Sequence, residues 1–171
     1  MIDTLKHKTA SGTIHTIINR NTFDFLGRLS TNHHKINTLA EQHILSNVYN
    51  FRGEVITKGL SLGFVPSLLQ KIDYQYNTQG WLTAINGPLS TGQPNGSDED
   101  LMDVFYQKIN YDNGFTTVTG QTVQSDKSGN ISLMLWQNRG GLIKGYNFEY
   151  DFLNRVTAGK YFDIYSGTTP G

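Results

Sequence analysis

The sequence predicts an all-β protein in which antiparallel β-hairpins repeat along a curved, spiralling sheet. Three observations carry this: a turn frame that recurs along the chain, period-two alternation on the strands flanking it, and a scarcity of helix signals. Phe23 to Ser30 reads FDFLGRLS, Tyr49 to Ile56 YNFRGEVI, Tyr76 to Thr83 YNTQGWLT and Tyr150 to Thr157 YDFLNRVT, with a weaker copy, SDKSGNIS, from Ser125 to Ser132. The frame is an aromatic residue, Asp or Asn, two variable residues, Gly or Asn, one variable residue, and an apolar residue. The copies open at Phe23, Tyr49, Tyr76, Ser125 and Tyr150, a near-constant period except between Tyr76 and Ser125. That one interval is close to two periods, so a repeat there is replaced or decorated.

Each frame reads as a hairpin turn. An Asp or Asn side chain bonds nearby backbone to open the turn, and the Gly or Asn three residues later tolerates a positive φ. The positions expected to build the turns are Asp24, Gly27, Asn50, Gly53, Asn77, Gly80, Asp151 and Asn154, with Phe23, Tyr49, Tyr76 and Tyr150 as the strand aromatics beside them. Ile72, Tyr74 and Tyr76 alternate with Lys71, Asp73 and Gln75, and Tyr146, Phe148 and Tyr150 with Asn147, Glu149 and Asp151. That alternation predicts strands with one apolar and one polar face.

In chain order, further strands are expected at Thr13 to Ile18, Ile44 to Tyr49, Glu54 to Lys58, Trp81 to Asn86, Phe105 to Tyr111, Phe115 to Val123, Ile131 to Trp136 and Lys160 to Tyr165. Asn86-Gly87, Asn95-Gly96 and Asn113-Gly114 supply turn dipeptides. Ser97 and Asp100 fit a capping box for a short helix near 98–105, and Thr38 to Leu45 is a weaker helix candidate. The polar stretch at about 87–103 reads as an insertion in a single repeat region spanning 1–171.

Composition narrows the function. The chain has 171 residues, 14 basic and 14 acidic side chains and zero net charge, which removes the electrostatic footprint of a nucleic-acid binder. It has no cysteine, hence neither disulfides nor thiolate metal sites. No run is apolar enough to span a bilayer, and MIDTLKHKTASG has no apolar core for a signal peptide. Chemistry-bearing clusters are weak. His7, His15, His33, His34 and His43 lack ligand spacing, and adjacent His33 and His34 are expected on opposite strand faces. Asp98, Glu99, Asp100 and Asp103 lack the alternation of a calcium loop. Asn138 to Gly141, with Lys144 and Gly145 beyond, fails the Walker pattern and reads as a hairpin turn. There is no GxSxG elbow, and the glycosylation patterns at Asn95 and Asn130 read as chance matches. No catalytic residue, metal or cofactor is expected. The aromatic set Tyr74, Tyr76, Trp81, Tyr106, Tyr111, Trp136, Tyr146, Phe148 and Tyr150 reads first as packing of the sheet and second as a sugar-stacking surface.

The segments YDFLNRVT, FDFLGRLS and YNFRGEVI resemble the tyrosine-aspartate (YD) repeat of the rearrangement hotspot (RHS) family, over about residues 14–165. Leu68 to Asn86, Asp103 to Gly114 and Gly129 to Trp136 are similar to the variant in large bacterial RHS-repeat proteins. The resemblance implies a β-sheet strip winding into a hollow shell that holds a C-terminal toxin or other cargo, or that displays an adhesive surface. It implies a secreted or cell-surface location as part of a larger protein, with the rest of that chain or its cargo as partner. The chain contains no DPxGL-type motif of the cleaved C-terminal core, so no catalytic residue carries over. On physical grounds five or six hairpins leave open edges, which also favours self-association or pairing with a partner. The alternative expectation is a carbohydrate- or receptor-binding adhesin module.

Overall fold

The computed structural model describes the chain except residues 64–68, 87–88, 91–92, 95–102, 112–116, 119–120, 123–128 and 165–171. It is all-β and antiparallel, as the turn frame predicts, and no helix occurs among the described residues. The strands are β1 (Ile2–Lys8), β2 (Ile14–Phe23), β3 (Leu29–Ile36), β4 (Gln42–Tyr49), β5 (Val55–Gly63), β6 (Gln70–Tyr76), β7 (Leu82–Ile85), β8 (Leu89–Ser90), β9 (Gln93–Pro94), β10 (Phe105–Asn110), β11 (Thr117–Val118), β12 (Gln121–Thr122), β13 (Leu133–Asn138), β14 (Ile143–Tyr150) and β15 (Val156–Ile164).

The chain divides into two compact units, Met1–Ile72 and Asp73–Gly171. In the first, β1 to β5 lie side by side in chain order. In the second, the order runs from β6 through β7, β10, β13 and β14 to β15, with β8–β9 and β11–β12 as small separate pairs.

Neither expected helix forms at its described residues. Thr38 and Leu39 lie in a turn and the chain extends from Gln42 as β4. Phe105 opens β10, while the capping residues Ser97 and Asp100 lie outside the described residues. In each case ladder pairing with neighbouring strands satisfies the backbone, and this outweighs a weak local helix signal. Instead of one strand over Phe115 to Val123, two short strands pair with each other, Thr117 with Thr122 and Val118 with Gln121.

The long interval between the Tyr76 and Ser125 copies is decoration. β7 pairs with β10 and β10 with β13, so one hairpin occupies that stretch, and the added length lies in the two connections that carry β8–β9 and β11–β12. Asn95-Gly96, Asn113-Gly114 and the acidic residues Asp98 to Asp100 lie outside the described residues.

The turn positions act as the frame predicts. Gly27, Gly53, Gly80 and Gly129 have φ of 79°, 89°, 86° and 84°, and Asn154 takes 60°. At all four strong copies the aromatic pairs with the apolar residue six positions on, Phe23 with Leu29, Tyr49 with Val55, Tyr76 with Leu82 and Tyr150 with Val156, and a register shift accompanies each. One extra residue per hairpin is thus absorbed as a bulge beside a left-handed turn residue. A β-branched side chain resists that backbone, so Gly53→Val is expected to lower stability by about 1–3 kcal/mol. Thermal unfolding checks this, and an unchanged midpoint would count against the turn assignment.

The two units differ in their interior. All the buried hydrophobic residues among those described, Ala84, Tyr106, Leu133, Leu135, Ile143 and Phe162, belong to the second unit. Leu135, Gly145 and Phe162 stand in one row across β13, β14 and β15. Any Cβ at Gly145 would lie within 2.7 Å of both neighbouring side chains, so the row closes only over glycine. The first unit is held instead by polar cross-strand pairs. Asn32 donates to Asn21 at 2.7 Å, His34 bonds Asn19 at 2.8 Å, and the Thr22 and Thr31 hydroxyls meet at 2.5 Å. Each pair stands directly opposite in the ladder, where such contacts stabilise a sheet.

Candidate functional site

With no enzymatic constellation predicted, the side chains that recur in one geometry mark the candidate site, and they lie in the turns. At the first copy Asp24 N donates to Arg28 O at 2.9 Å and Gly27 N to Asp24 O at 3.0 Å. Asp24 Oδ1 accepts from Leu26 N and Arg28 N, each at 2.9 Å. Asn50 Oδ1 accepts from Arg52 N and Glu54 N at 2.9 and 3.0 Å, and Asn77 Oδ1 from Gln79 N and Trp81 N at 3.1 and 2.8 Å. Asp151 Oδ1 accepts from Leu153 N and Arg155 N at 2.9 and 3.0 Å. One acceptor oxygen therefore closes four loops by the same two bonds, which is why the position is Asp or Asn in all four.

A fifth loop of this kind escapes the sequence frame. Thr9 N donates to Thr13 O at 2.8 Å, Gly12 N to Thr9 O at 2.9 Å, and Thr13 N to the Thr9 hydroxyl at 3.1 Å. Gly12 has φ of 88°. A hydroxyl stands in for the carboxamide and Lys8 for the aromatic, so nothing in the aromatic-Asx signature reveals it.

Where the turn residue is Asp, an ion pair is added. Arg28 Nε and Arg155 Nε each donate to Oδ2 of the Asp four residues earlier at 2.7 Å. Both carboxyls are held below their ordinary value, chiefly by the backbone amide of the same arginine and then by its side chain, against the opposing effect of desolvation. A lowered folded value means that the stabilisation is present above the unfolded carboxyl value and is lost as pH falls through the folded one. Asn at both positions keeps the two backbone bonds, as Asn50 and Asn77 show, and removes the titration. The double variant Asp24→Asn/Asp151→Asn is therefore expected to lose less melting temperature than the parent between about pH 5 and pH 2. Equal losses would mean that these carboxyls do not govern the acid limb.

Successive hairpins are joined by a device spanning two copies. Tyr49 donates its hydroxyl to Leu29 O at 2.9 Å, Tyr111 to Leu82 O at 3.0 Å, and Tyr150 to Ile131 O at 2.8 Å. Leu29, Leu82 and Ile131 all hold the apolar position of the preceding frame; Tyr49 and Tyr150 are the aromatics that open the next copy, and Tyr111 follows the last residue of β10. The residue just before that apolar position grips the following hairpin. The Arg28 guanidinium lies 4.4 Å from the Tyr49 ring centre and its Nη1 donates to Asn50 O at 3.4 Å. Trp81 packs on Tyr111 with ring centres 5.0 Å apart, and Asn130 donates to Asn154 Oδ1 at 3.1 Å. Burial raises the Tyr111 hydroxyl above its ordinary value, keeping it a donor.

Two asparagines perform a similar service in the connections away from these turns. Asn37 donates its backbone amide to Thr16 O at 2.7 Å and its side chain accepts from Thr16 N at 2.8 Å, while Asn86 does the same with Asp73 at 2.8 and 3.0 Å. Both adopt positive φ, 52° and 58°. Asn86 also donates to Phe105 O at 2.7 Å. Asn86 is legible in the sequence as part of a turn dipeptide, but neither clamp is.

The remaining clusters separate. His33 lies against His43 with ring centres 4.9 Å apart, whereas His34 bonds Asn19, so the adjacent pair does face opposite sides. Among the described residues no three His, Cys, Asp or Glu side chains come together as a metal site. Asn138 to Gly141 forms the turn between β13 and β14, closed by Gly141 N donating to Asn138 O at 2.8 Å.

On β14 the expected faces are reversed. Ile143, Gly145 and Asn147 are buried, while Tyr146 and Phe148 stand half-exposed on the other side. There Tyr146 meets Trp136, Phe148 and Tyr161 with ring centres 5.7, 5.9 and 5.4 Å apart, and Tyr161 donates to Asp163 at 2.6 Å. The Leu135–Gly145–Phe162 row selects the buried side, and aromatic alternation alone cannot report that.

Several large apolar side chains stay outside both interiors. Phe25, Phe51 and Phe152, each the first variable residue of a turn, are almost fully exposed, and every residue of β1 is exposed. No helix among the described residues is long and apolar enough to cross a membrane. No protein-family model and no curated protein matches the chain.

Proposed function

We propose that the chain is a non-enzymatic scaffold segment of an RHS/YD-repeat protein, part of a β-sheet shell that encloses a C-terminal toxin or other cargo and is secreted or displayed at the cell surface. One observation carries the reading: the same tyrosine-to-carbonyl bond recurs at Tyr49, Tyr111 and Tyr150, in each case tying a hairpin strand back to the apolar residue of the preceding turn frame. A device that recurs from hairpin to hairpin serves a stack in which neighbours supply most of the stability. The exposed phenylalanines at the turn tips and the uncovered β1 are what a panel of a larger assembly presents. The first test is the native size of the gene product in producing cells and medium, by immunoblot with an antibody against this segment. A band far above the mass of these 171 residues, with export or processing, is the expected result. A band at the mass of the 171-residue chain alone would overturn the shell reading.

The second reading, a carbohydrate-binding adhesin, is favoured by the half-exposed Trp136, Tyr146, Phe148 and Tyr161 face, since exposed rings stack on the apolar faces of sugars. Glycan-array binding lost in Trp136→Ala with the fold retained would support it. Trp81 is a poorer probe, because its ring packs on Tyr111 and over Gly129.

A further inference from the structure

We infer that His33 and His43 form a binding site for a divalent transition metal of the class that takes imidazole ligands, Cu²⁺ ahead of Zn²⁺. The inference is independent of the scaffold reading and rests on the first unit alone. His33 of β3 and His43 of β4 stand directly opposite in the ladder, both half-buried, with ring centres 4.9 Å apart. Two imidazoles held by one tetrahedral ion at metal–nitrogen distances of about 2.0–2.1 Å have ring centres about 5 Å apart, so the pair already has the spacing of ligands to one metal. No ligand motif marks them in the sequence, because antiparallel pairing brings them together. Both ladders of β4 shift register beside the pair, between Asn32 and His33 on the β3 side and between His43 and Leu45 on the β5 side. Such bulges re-aim side chains and recur beside functional sites.

The ring nitrogens favour the same reading. His43 Nε2 lies 2.9 Å from Leu45 O, and a carbonyl only accepts, so Nε2 carries the proton and the neutral ring keeps its lone pair on Nδ1. A second ring nitrogen that donates to a backbone carbonyl is the support that orients a metal-bound histidine. His33 Nδ1 is buried and makes no hydrogen bond among the described residues, so metal binding gives a bare acceptor its partner. His34 and His15 are committed elsewhere: His34 Nδ1 bonds Asn19 Oδ1 at 2.8 Å, and His15 Nδ1 accepts from Asn37 Nδ2 at 3.2 Å. His7 stands opposite His15 in the ladder, which makes that pair a matched control whose Nδ1 lone pair is taken. Arg20, registered with His33, pairs with Glu41 at 3.1 Å, and Lys35 lies two residues along β3 from His33. Neutral donors beside cations favour the ion with the strongest bond to imidazole, which in the divalent series is Cu²⁺. Water completes the coordination from the half-exposed side.

The test titrates the full chain with ZnCl2 and with CuCl2 in a calorimeter. Saturable binding is expected, tighter for Cu²⁺ than for Zn²⁺. Affinity for Zn²⁺ should fall about tenfold or more in His33→Gln and in His43→Gln, and be unchanged in His7→Ala. A glutamine amide at position 43 still has a donor for Leu45 O, so that variant removes the ligand nitrogen with little else. Zn²⁺ should also raise the melting midpoint of the parent chain and leave that of His33→Gln where it was. Electron paramagnetic resonance of the Cu²⁺-loaded parent needs no variant, and nitrogen couplings from two imidazoles are expected. Absence of saturable binding, couplings from a single imidazole, or an affinity that His7→Ala lowers while His33→Gln leaves it unchanged would overturn the inference.

Discussion

Gly129→Ala is expected to lower the stability of the second unit by about 2–5 kcal/mol, combining backbone strain at positive φ with overpacking against a ring. Gly129 has φ of 84°, which an L side chain adopts at a cost. An added Cβ would also lie 3.1 Å from Trp81 Cζ2 and Cζ3 and closer still to Cη2. That ring cannot simply swing away, since its other neighbour is Tyr111, whose hydroxyl is committed to Leu82 O. Gly27→Ala supplies the control. It has φ of 79°, and nothing lies within 4 Å of the position its Cβ would take, so only the backbone cost of about 1 kcal/mol applies. Denaturant unfolding of both variants separates the two contributions. Equal losses would mean that the Trp81 ring does not constrain Gly129.

This contrast shows how far the sequence can be read. The turns are legible because one acceptor oxygen and one left-handed residue leave few residue types at two positions, as at Asp24 with Gly27 and Asp151 with Asn154. β1 is not anticipated, because IDTLKHK carries no period-two apolar signal, and β3 is legible only as the strand that the first turn frame starts at Leu29, since LSTNHHKI has no such signal of its own. Their order comes from ladder bonds and from polar cross-strand pairs such as Asn21 with Asn32, which no apolar pattern reports. The tyrosine bond is hidden for a related reason. Its donor and acceptor are 20, 29 and 19 residues apart in the three cases, since the connection at the opposite end of each hairpin varies in length. A fixed structural relation therefore leaves no fixed spacing.

Leu133→Ala is expected to cost about 2–5 kcal/mol, the range for a truncation that leaves a cavity the surroundings fill only in part. Leu133 is 1% exposed, registered with Asn110 on one side and with Asn147, itself 2% exposed, on the other. Trp136, three residues along β13, projects to the opposite face, where Tyr146 is half-exposed and Tyr161 largely open. Trp136→Ala deletes a far larger side chain, yet the loss is expected to be smaller, because water replaces much of what is removed and no closed cavity forms. Thermal unfolding of the two variants compares the faces directly. The expected order makes the Leu133 side the structural face and leaves the aromatic side free to take a ligand or a covering layer. A Trp136→Ala loss equal to or above that of Leu133→Ala would make the aromatic side the core and remove the physical ground of the carbohydrate reading, while leaving the turns, the tyrosine bonds and the scaffold proposal untouched.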